Sequence, residues 1–362
     1  MIKIINSSKN QDHNIPYNCF PDFILRSPSL PYNFIQSFID QEDVSENQMI
    51  ACLNIPVIQE AIFLASPEFY SELEKWSAGN INRQDERDRI RFVLFRYLIR
   101  MSTRSTPFGL FAGINTGEWK DKNQIQLEPL IKGERSAQLD MHYLCALAPD
   151  LSRLPGIRNQ IRFYPNSSIY TVGNKYRYVE YRYDKNKKNH HLVTIDKTKY
   201  LEKILSTANQ GAFHSDLKNI LIKEGFSKQD SEAFIDELIN EQVLFSELEP
   251  SVTGANFLDQ ILKIISNIKG IDKQVFLSGS AREKLNQLRN ITNEPIISKY
   301  QHIKDELSEL GTKFIPKFLF HVDLKKNIKS CSLDKNITED LLQGIAVLLW
   351  LSPEPVQTEL TR

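Results

Sequence analysis

Arginine side chains are concentrated in one predicted helix, which spans residues 84–102, and at its two ends. From Arg83 to Arg104 there are seven arginines and three acidic residues, a local surplus of four positive charges. At about 100° per residue, one stripe about 80° wide holds Arg89, Arg96, Arg100 and Arg104. The far side of the helix is expected to carry Phe92, Phe95, Leu98 and Ile99. We therefore expect a largely buried helix whose arginines need carboxylate or phosphate partners, because an unpaired buried charge is very costly.

Two kinds of partner suit these arginines, and the residues alone leave both open. One is a structural ion-pair network with acidic side chains of the same chain. The other is a bound anion, which the end of the helix favours. Four hydroxyl side chains stand there beside Arg100 and Arg104, namely Ser102, Thr103, Ser105 and Thr106. Guanidinium and hydroxyl donors together suit a phosphodiester or a carboxylate ligand.

The composition excludes several classes of protein. Lysine and arginine total 45 and aspartate and glutamate total 45, so the formal charge is zero, which argues against a globally basic nucleic-acid coat. The sequence has no GxxxxGKS, GxxxxGKT or GxGxxG loop of the kind that cradles nucleotides. The four cysteines form no CxxC pair and no HExxH occurs, so we predict reduced thiols and no bound metal or cofactor.

The chain also lacks the patterns of membrane and secreted proteins. Its longest apolar stretch, residues 345–351, is far shorter than the roughly 18 residues that span a bilayer. The N-terminus has no apolar block of the kind found in signal peptides. We predict a cytoplasmic chain without a membrane span.

Three regions can be separated, and together they predict a multi-lobed α+β protein of mixed helices and small sheets. Residues 1–157 form an N-terminal lobe with the arginine-rich helix, and residues 254–362 begin a further, more helical lobe. Residues 158–253 contain strand-like runs at 168–172 and 175–183, joined by two turn residues, then three short helices and a final strand-like segment. This order predicts an embedded winged helix-turn-helix element. The lysine-rich stretch around His190 and His191 is expected to be a loop of this region.

The segment RMSTRSTPFGLFAG, residues 100–113, resembles the hallmark motif of the lantibiotic dehydratases, the enzymes of class I lanthipeptide biosynthesis. Other segments agree in order and spacing: ILRSPSLP at 24–31, AIFLASPEFYSEL at 61–73 and RSAQLDMHYLCAL at 135–147. The resemblance covers essentially the whole chain. It implies an enzyme that transfers glutamate from glutamyl-tRNA, its co-substrate, to Ser and Thr hydroxyls of a precursor peptide. The family then eliminates glutamate to leave dehydroalanine and dehydrobutyrine.

Matching the motifs residue by residue implies which side chains serve the glutamylation step. They are Arg26, Arg100, Arg104, Thr106, Asp140 and, less directly, Asp323. Arginines such as Arg89 and Arg96 would hold the tRNA backbone, while Arg100, Arg104 and Thr106 would orient the ester or its developing oxyanion. For Asp140 and Asp323, a structural salt bridge explains the residue equally well.

The winged region matches the element with which the family recognises its precursor peptide. Its third predicted helix carries five acidic residues against one lysine, so a DNA groove would repel it. We expect an extended leader peptide to pair with the strand at 175–183, taken as an edge strand, and to contact the third helix. The expected contact residues are Tyr176, Tyr178, Val179, Tyr181, Phe234 and Leu238. A purely structural winged domain is the alternative.

The chain departs from the family in length, since nothing in it matches the C-terminal domain that performs elimination. A C-terminal elimination domain or a separate chain is therefore an expected partner, and family members are often dimers, which leaves a homodimer open. Two other functions are compatible with the motifs. One is a peptide aminoacyl-tRNA ligase on the same scaffold, and the other is a non-catalytic scaffold that binds the leader peptide.

Overall fold

The computed structural model describes residues 17–41, 44–184, 187–251, 253–292 and 294–352. The chain divides into two compact units. Unit 1 comprises Met1–Ser136, Arg289–Glu294 and Val322–Arg362, and unit 2 comprises Ala137–Leu288 and Pro295–His321. Helices and small sheets are mixed along the chain, so the predicted α+β class is confirmed.

The N-terminal part of unit 1 is a strand followed by a run of helices. These elements are β1 (Asp22–Pro28), α1 (Tyr32–Ile39), α2 (Glu46–Cys52), α3 (Pro56–Ala65), α4 (Pro67–Ser77) and α5 (Gln84–Thr103). Ser66 caps α4 by accepting a hydrogen bond from the backbone N–H of Phe69, and Pro67 occupies the first turn. The arginine-rich helix α5 ends where Arg104 adopts an extended backbone, three residues before Pro107.

Helix α5 buries one side only, and that side differs from the predicted one. Its buried residues are Ile90, Leu94, Leu98, Met101 and Ser102. The prediction that Phe92 lies on the apolar side was wrong, since its side chain is 62% exposed. Four residues correspond to about 400° of rotation, so Phe92 borders Arg96 and the arginine stripe rather than facing away from it.

Beyond α5 the chain adds strands β2 (Ala112–Lys120), β3 (Gln124–Leu127) and β4 (Glu134–Leu139), and it passes into unit 2 along β4. The first half of unit 2 contains α6 (Met141–Arg153), α7 (Pro155–Arg158), β5 (Arg162–Pro165), β6 (Tyr170–Val172), β7 (Lys175–Asp184) and β8 (Lys187–Asp196). There follow α8 (Lys199–Ala208), β9 (Ala212–Phe213), α9 (His214–Lys223), α10 (Lys228–Asn240) and β10 (Leu244–Ser246). Three further helices complete it: α11 (Phe257–Ile265), α12 (Asp272–Gln287) and α13 (Ile297–Ser308).

The predicted hairpin is confirmed, but its second strand is not at an edge. Val172 pairs with Lys175 across Gly173, whose φ of 57° suits the tight turn. Strand β7 also pairs along its whole length with β8, so the sheet order is β6-β7-β8, with β6 and β8 as the two outer strands. The loop expected around His190 and His191 is thus part of β8. Pairing with a ten-residue neighbour overrides the low strand propensity of a lysine-rich stretch.

The chain returns to unit 1 along β11 (Phe320–Lys325) and continues through β12 (Ile328–Asp334) and α14 (Asn336–Leu351). The main sheet has the order β3-β12-β2-β11-β4, with β1 antiparallel to β2. Two hydrogen bonds tie the end of β1 to α5 and to the segment that follows it. The N–H of Leu30 donates to the carbonyl of Met101 at 2.8 Å, and the N–H of Ser29 donates to that of Phe111 at 3.0 Å.

Within the described residues, no single helix is long and apolar enough to cross a membrane. Helices α2 and α3 reach the required length and composition only as a pair, and they meet at a bend of 85°.

Candidate functional site

The arginines of α5 divide into two groups according to their partners. Those in the first half of the helix pair with carboxylates: Arg83 with Asp85 at 2.5 Å, Arg87 with Glu46 at 3.7 Å, Arg89 with Glu72 at 2.9 Å and Arg91 with Asp88 at 3.3 Å. The structural ion-pair network considered from the sequence therefore exists, and it accounts for this half of the helix.

The second half of α5 has no such network. Among the described residues, no carboxylate forms an ion pair with Arg96, Arg100 or Arg104. These arginines line a groove of about 380 Å³ together with Val93, Tyr97 and Ile99. Burial raises the pKa of Tyr97, and the positive charges of Arg100 and Arg96 partly offset that shift. The groove is thus a site of uncompensated positive charge.

Arg100 is the most enclosed of these arginines. Its guanidinium carbon lies 4.8 Å from the centroid of the Phe108 ring and 5.8 Å from that of Phe111. Its Nε atom is buried and has no hydrogen-bond partner among the described residues. The two rings hold the guanidinium in place by cation–π contact and leave its donors for a ligand.

The four hydroxyl residues at the C-terminal end of α5 and just beyond it differ in burial and in hydrogen bonding. Ser102 is 3% exposed, and the Thr103 hydroxyl donates to the carbonyl of Ile99 at 2.7 Å. Arg104 and Thr106, in contrast, are exposed just beyond the helix. Of the four predicted hydroxyl residues, Ser105 and Thr106 are exposed and follow Arg104 directly in the chain.

The main sheet brings Arg26 and Asp323 to one face. Arg26 of β1 pairs with Ile114 of β2, and Lys325 of β11 pairs with Ile114 from the other side. Asp323 is two residues before Lys325 and so lies on the same face, with one strand between it and β1. Both Arg26 and Asp323 are exposed. Two strand spacings and a two-residue offset along β11 put their Cα atoms about 12 Å apart.

Asp140 belongs to unit 2, where it caps α6. Its Oδ1 accepts a hydrogen bond from the N–H of His142 at 2.7 Å, and its Oδ2 lies 4.0 Å from Nδ1 of His321. Capping is a sufficient structural reason for an aspartate here. A direct role for Asp140 in glutamyl transfer stays a prediction.

The part of unit 2 that the sequence predicted to be a winged element contains an apolar groove lined in part by strand β8. This groove has a volume of about 410 Å³ and is lined by Ile195, Asp196, Thr198, Tyr200, Leu201, Leu221, Phe226, Asp230 and Phe234. The rings of Tyr200 and Phe226 meet edge to face, with centroids 5.0 Å apart. The groove thus has a mostly apolar lining, to which β8, α8, α9 and α10 contribute, and it also includes the carboxylates of Asp196 and Asp230.

The predicted peptide-binding residues fall in different places. Phe234 lines the groove, whereas Tyr178 and Leu238 are each 2% exposed in the core. Tyr176 is half-buried, and Val179 is 37% exposed on the middle strand. Tyr181 lines a different cavity of about 730 Å³ in unit 2, next to Glu249, whose pKa is raised by burial.

Sequence reasoning missed several residues of these sites. Phe92 was assigned to the wrong side of its helix, although its spacing from Arg96 was visible. Ile195, Tyr200 and Phe226 were missed because β8 was taken for a loop. Lys326, which is only 7% exposed in unit 1, gives no signal in the sequence.

Across the described residues, no group of three or more His, Cys, Asp or Glu side chains is arranged to hold a metal ion.

Residues 54–362 match the family model described as lantibiotic dehydratase, N terminus. The epidermin biosynthesis protein EpiB of Staphylococcus epidermidis is 23% identical over 357 residues, which are 94% of this chain and 34% of that protein. The nisin biosynthesis protein NisB of Lactococcus lactis subsp. lactis is 26% identical over 157 residues, 42% of this chain and 14% of that protein. The chain therefore spans about a third of the length of the epidermin protein.

Two solved structures share the fold. The tRNA-dependent lantibiotic dehydratase MibB from Microbispora sp. 107891 superposes with a TM-score of 0.76 at 17% identity, covering 96% of this chain and 32% of that chain. The glutamylation domain TbtB from thiomuracin biosynthesis, solved bound to 5'-phosphodesmethylglutamycin, gives a TM-score of 0.57 at 16% identity. It covers 84% of this chain and 36% of that chain.

Proposed function

Since the chain belongs to the lantibiotic dehydratase family, we propose that it performs the glutamylation step of peptide dehydration. In this step a Ser or Thr hydroxyl of a ribosomally made precursor peptide attacks the ester carbonyl of glutamyl-tRNA. The ester bond to the ribose breaks, and the hydroxyl proton ends on the ribose oxygen. Elimination of glutamate then leaves a dehydroamino acid.

The observation that carries this proposal is the absence of ion-pair partners for Arg96, Arg100 and Arg104 among the described residues. A groove with three such guanidinium groups is suited to the phosphates and the terminal ester of an aminoacyl-tRNA. Arg100 and Arg104 would stabilise the oxyanion that forms when the hydroxyl attacks, and the exposed Thr106 would donate a further hydrogen bond. Arg89 is engaged by Glu72, so its share in tRNA binding would be smaller than that of Arg96.

Arg26 and Asp323 would serve the same reaction from the face of the main sheet. Arg26 has no ion-pair partner among the described residues and is exposed, which suits an anionic group of the substrate. Asp323 lies on that face and would orient an arginine or the attacking hydroxyl. Asp140 is kept among the proposed residues on the motif match alone, since its observed role is to cap α6.

We assign the leader peptide to the winged helix-turn-helix of unit 2, and specifically to β8. Strands β6, β7 and β8 precede the helices α8, α9 and α10, and β10 follows them, which supports the predicted order of a hairpin, three helices and a final strand. The outer edge of β8 offers main-chain groups to an extended peptide, and the groove beside it would take alternate apolar side chains. Asp196 and Asp230 at the groove favour a peptide with basic residues and oppose nucleic acid.

Because the chain spans about a third of the epidermin protein, we propose that elimination occurs on another part of the enzyme or on a partner chain. A second function, a non-catalytic scaffold that binds the leader peptide, is favoured by the groove alone, because all of its lining residues lie in unit 2. In that case the arginines of α5 would have no substrate.

The deciding experiment is incubation of the chain, with any co-encoded elimination partner, with glutamyl-tRNA and precursor peptide. Mass spectrometry would then detect peptide carrying one added glutamyl residue, or peptide that has lost water. We expect Arg104→Ala to abolish these products and to leave leader-peptide affinity unchanged. Arg87→Ala is the matched control, because Arg87 lies on the same helix and pairs with Glu46.

If Arg104→Ala lost both glutamyl transfer and leader-peptide binding, Arg104 would be needed for the folded structure and not specifically for the transfer. Leader binding by a wild-type chain that makes no modified peptide would support the scaffold function instead. Addition of the amino acid to the peptide C-terminus would identify a peptide aminoacyl-tRNA ligase.

A further inference from the structure

Phe92 is an apolar side chain displayed on the charged side of α5. It is 62% exposed, and the guanidinium carbon of Arg96 lies 5.8 Å from the centroid of its ring. A single exposed phenylalanine is common on an ordinary protein surface. This one stands at the head of the row in which Arg96, Arg100 and Arg104 follow at intervals of four residues, and these arginines have no ion-pair partner among the described residues.

A second exposed ring stands near the other end of the same row. Phe108 is 46% exposed, and the guanidinium carbon of Arg100 lies 4.8 Å from its centroid. Unit 1 therefore presents two exposed phenyl rings beside guanidinium groups: Phe92 contacts Arg96 on α5, and Phe108, in the segment after α5, contacts Arg100. The row from Phe92 to Arg104 is about 18 Å long at 1.5 Å per residue.

Exposed aromatic rings beside unpaired guanidinium groups suit single-stranded nucleic acid. Guanidinium groups bind successive phosphates, while aromatic faces stack on bases without regard to their sequence. A folded protein partner would instead need carboxylates to neutralise the arginines and an apolar pocket for each ring. A free carboxylate or phosphate would leave both rings without a function.

We propose that Phe92 and Phe108 are stacking platforms for the unpaired nucleotides at the 3′ end of the tRNA, with Arg96 on an intervening phosphate. The inference rests on the proposed use of an aminoacyl-tRNA. Phe108 lies next to Arg100, where the terminal nucleotide and its ester bind. Phe92 is about 18 Å from Arg104, so it stacks on a base several nucleotides away from the ester.

The test measures the dissociation constant of the full chain for deacylated glutamate tRNA over a range of salt concentrations. Loss of one stacked base costs about 5- to 150-fold in affinity, and this loss is the expected effect of Phe92→Ala. The salt dependence of binding should stay unchanged in Phe92→Ala, because no phosphate contact is lost. Arg96→Ala should reduce the slope of log affinity against log salt by about 0.7, the value for one contact to a single strand.

Three comparisons separate base stacking from a contact between the Phe92 ring and protein. Phe92→Trp should retain the affinity and Phe92→Leu should lose it, since only the former offers an aromatic face. A tRNA lacking its unpaired 3′ nucleotides should bind wild type and Phe92→Ala equally. Phe276→Ala is the matched control, because that phenylalanine is 69% exposed on α12 in unit 2 and should leave binding unchanged.

Unchanged tRNA affinity in Phe92→Ala would overturn the stacking role while leaving the proposed function standing. Full affinity in Phe92→Leu, or an equal loss with the truncated tRNA, would also overturn it and assign the ring to a protein contact. Absence of any tRNA binding by the wild-type chain would overturn the proposed function itself. Equal melting temperatures of wild type and Phe92→Ala confirm that the fold is intact.

Discussion

The ammonium group of Lys326 donates a hydrogen bond of 2.8 Å to the carbonyl oxygen of Pro28. Lys326 follows β11, the strand of Asp323, and Pro28 ends β1, the strand of Arg26. The backbone N–H of Lys326 also donates to the carbonyl of Ile114 at 3.2 Å. A buried lysine therefore links the end of β11 to the end of β1 across β2.

The burial of Lys326 predicts how the free energy of unfolding depends on pH. Burial lowers the pKa of Lys326 below its ordinary value of 10.5, so the charged form disfavours the folded state. As the pH rises through the folded pKa towards 10.5, the folded protein loses this proton before the unfolded chain does, and the penalty disappears. The free energy of unfolding of wild type should therefore rise relative to that of Lys326→Met in this alkaline window.

The measurement is urea denaturation at a series of pH values from neutral upward. Lys325→Met is the matched control, because that lysine is the exposed neighbour, and its difference from wild type should not change in this way. A difference between wild type and Lys326→Met that is independent of pH would contradict the prediction.

Gly113, the last residue of the RMSTRSTPFGLFAG motif, is required by packing against Lys326. A Cβ atom at this position would lie 2.7 Å from Cγ of Lys326 and 2.9 Å from Cγ of Leu324. Both neighbours are buried, so neither can move without disturbing the sheet. We expect Gly113→Ala to destabilise the protein by about 1–3 kcal/mol, measured by denaturant titration. Gly344→Ala is the matched control, because a Cβ atom at Gly344 would meet no other atom within 4 Å. Gly79→Ala is unsuitable, because Gly79 has a φ of 73°, a backbone conformation that alanine rarely adopts.

The buried pair of Glu60 and Arg135 should be a major determinant of stability in unit 1. The two side chains lie 3.3 Å apart, and the residues are 1% and 3% exposed. Arg135→Met leaves the carboxylate buried without its guanidinium partner and should cost about 3–5 kcal/mol in the free energy of unfolding. The double variant Glu60→Gln with Arg135→Met should recover part of that loss, since no charge is then left buried.

An exposed pair provides the comparison for Arg135. Arg89→Met removes the exposed ion pair between Arg89 of α5 and Glu72 of α4. It should change the free energy of unfolding by less than about 1 kcal/mol. Equal effects of Arg135→Met and Arg89→Met in thermal or chemical denaturation would show that burial does not set the strength of the Glu60–Arg135 interaction.

The groove beside β8 predicts which face of that strand recognises the leader peptide. Ile195 lines the groove, while Leu192 is 57% exposed and lies on the opposite face of the strand. Ile195→Asp should weaken leader-peptide affinity at least tenfold, because it puts a charge among the apolar side chains that line the groove. Leu192→Asp should change it much less.

Fluorescence anisotropy of a labelled leader peptide gives both dissociation constants. Equal losses in the two variants would indicate that the peptide binds through the main chain of β8 alone. An effect of Leu192→Asp without one of Ile195→Asp would move the peptide to the other face of the sheet.

Local patterns in the sequence were sufficient for the elements that short-range interactions define. Helix α4 begins where Ser66 and Pro67 predict, and the hairpin turns at Gly173, because capping bonds and turn conformations depend on neighbouring residues. The motif of residues 100–113 likewise identified the family, which the match over residues 54–362 confirms.

Only the tertiary structure decided which of these residues have partners. Seven arginines of one segment look alike in the sequence, yet Arg89 is paired with Glu72, 17 residues away, while Arg96 has no ion-pair partner among the described residues. Strand β8 exists because β7 pairs with it, although its lysines and histidines indicate a loop. Pairing, strand order and burial depend on contacts between residues distant in the chain, and these contacts separate the arginines that brace the fold from those left for a substrate.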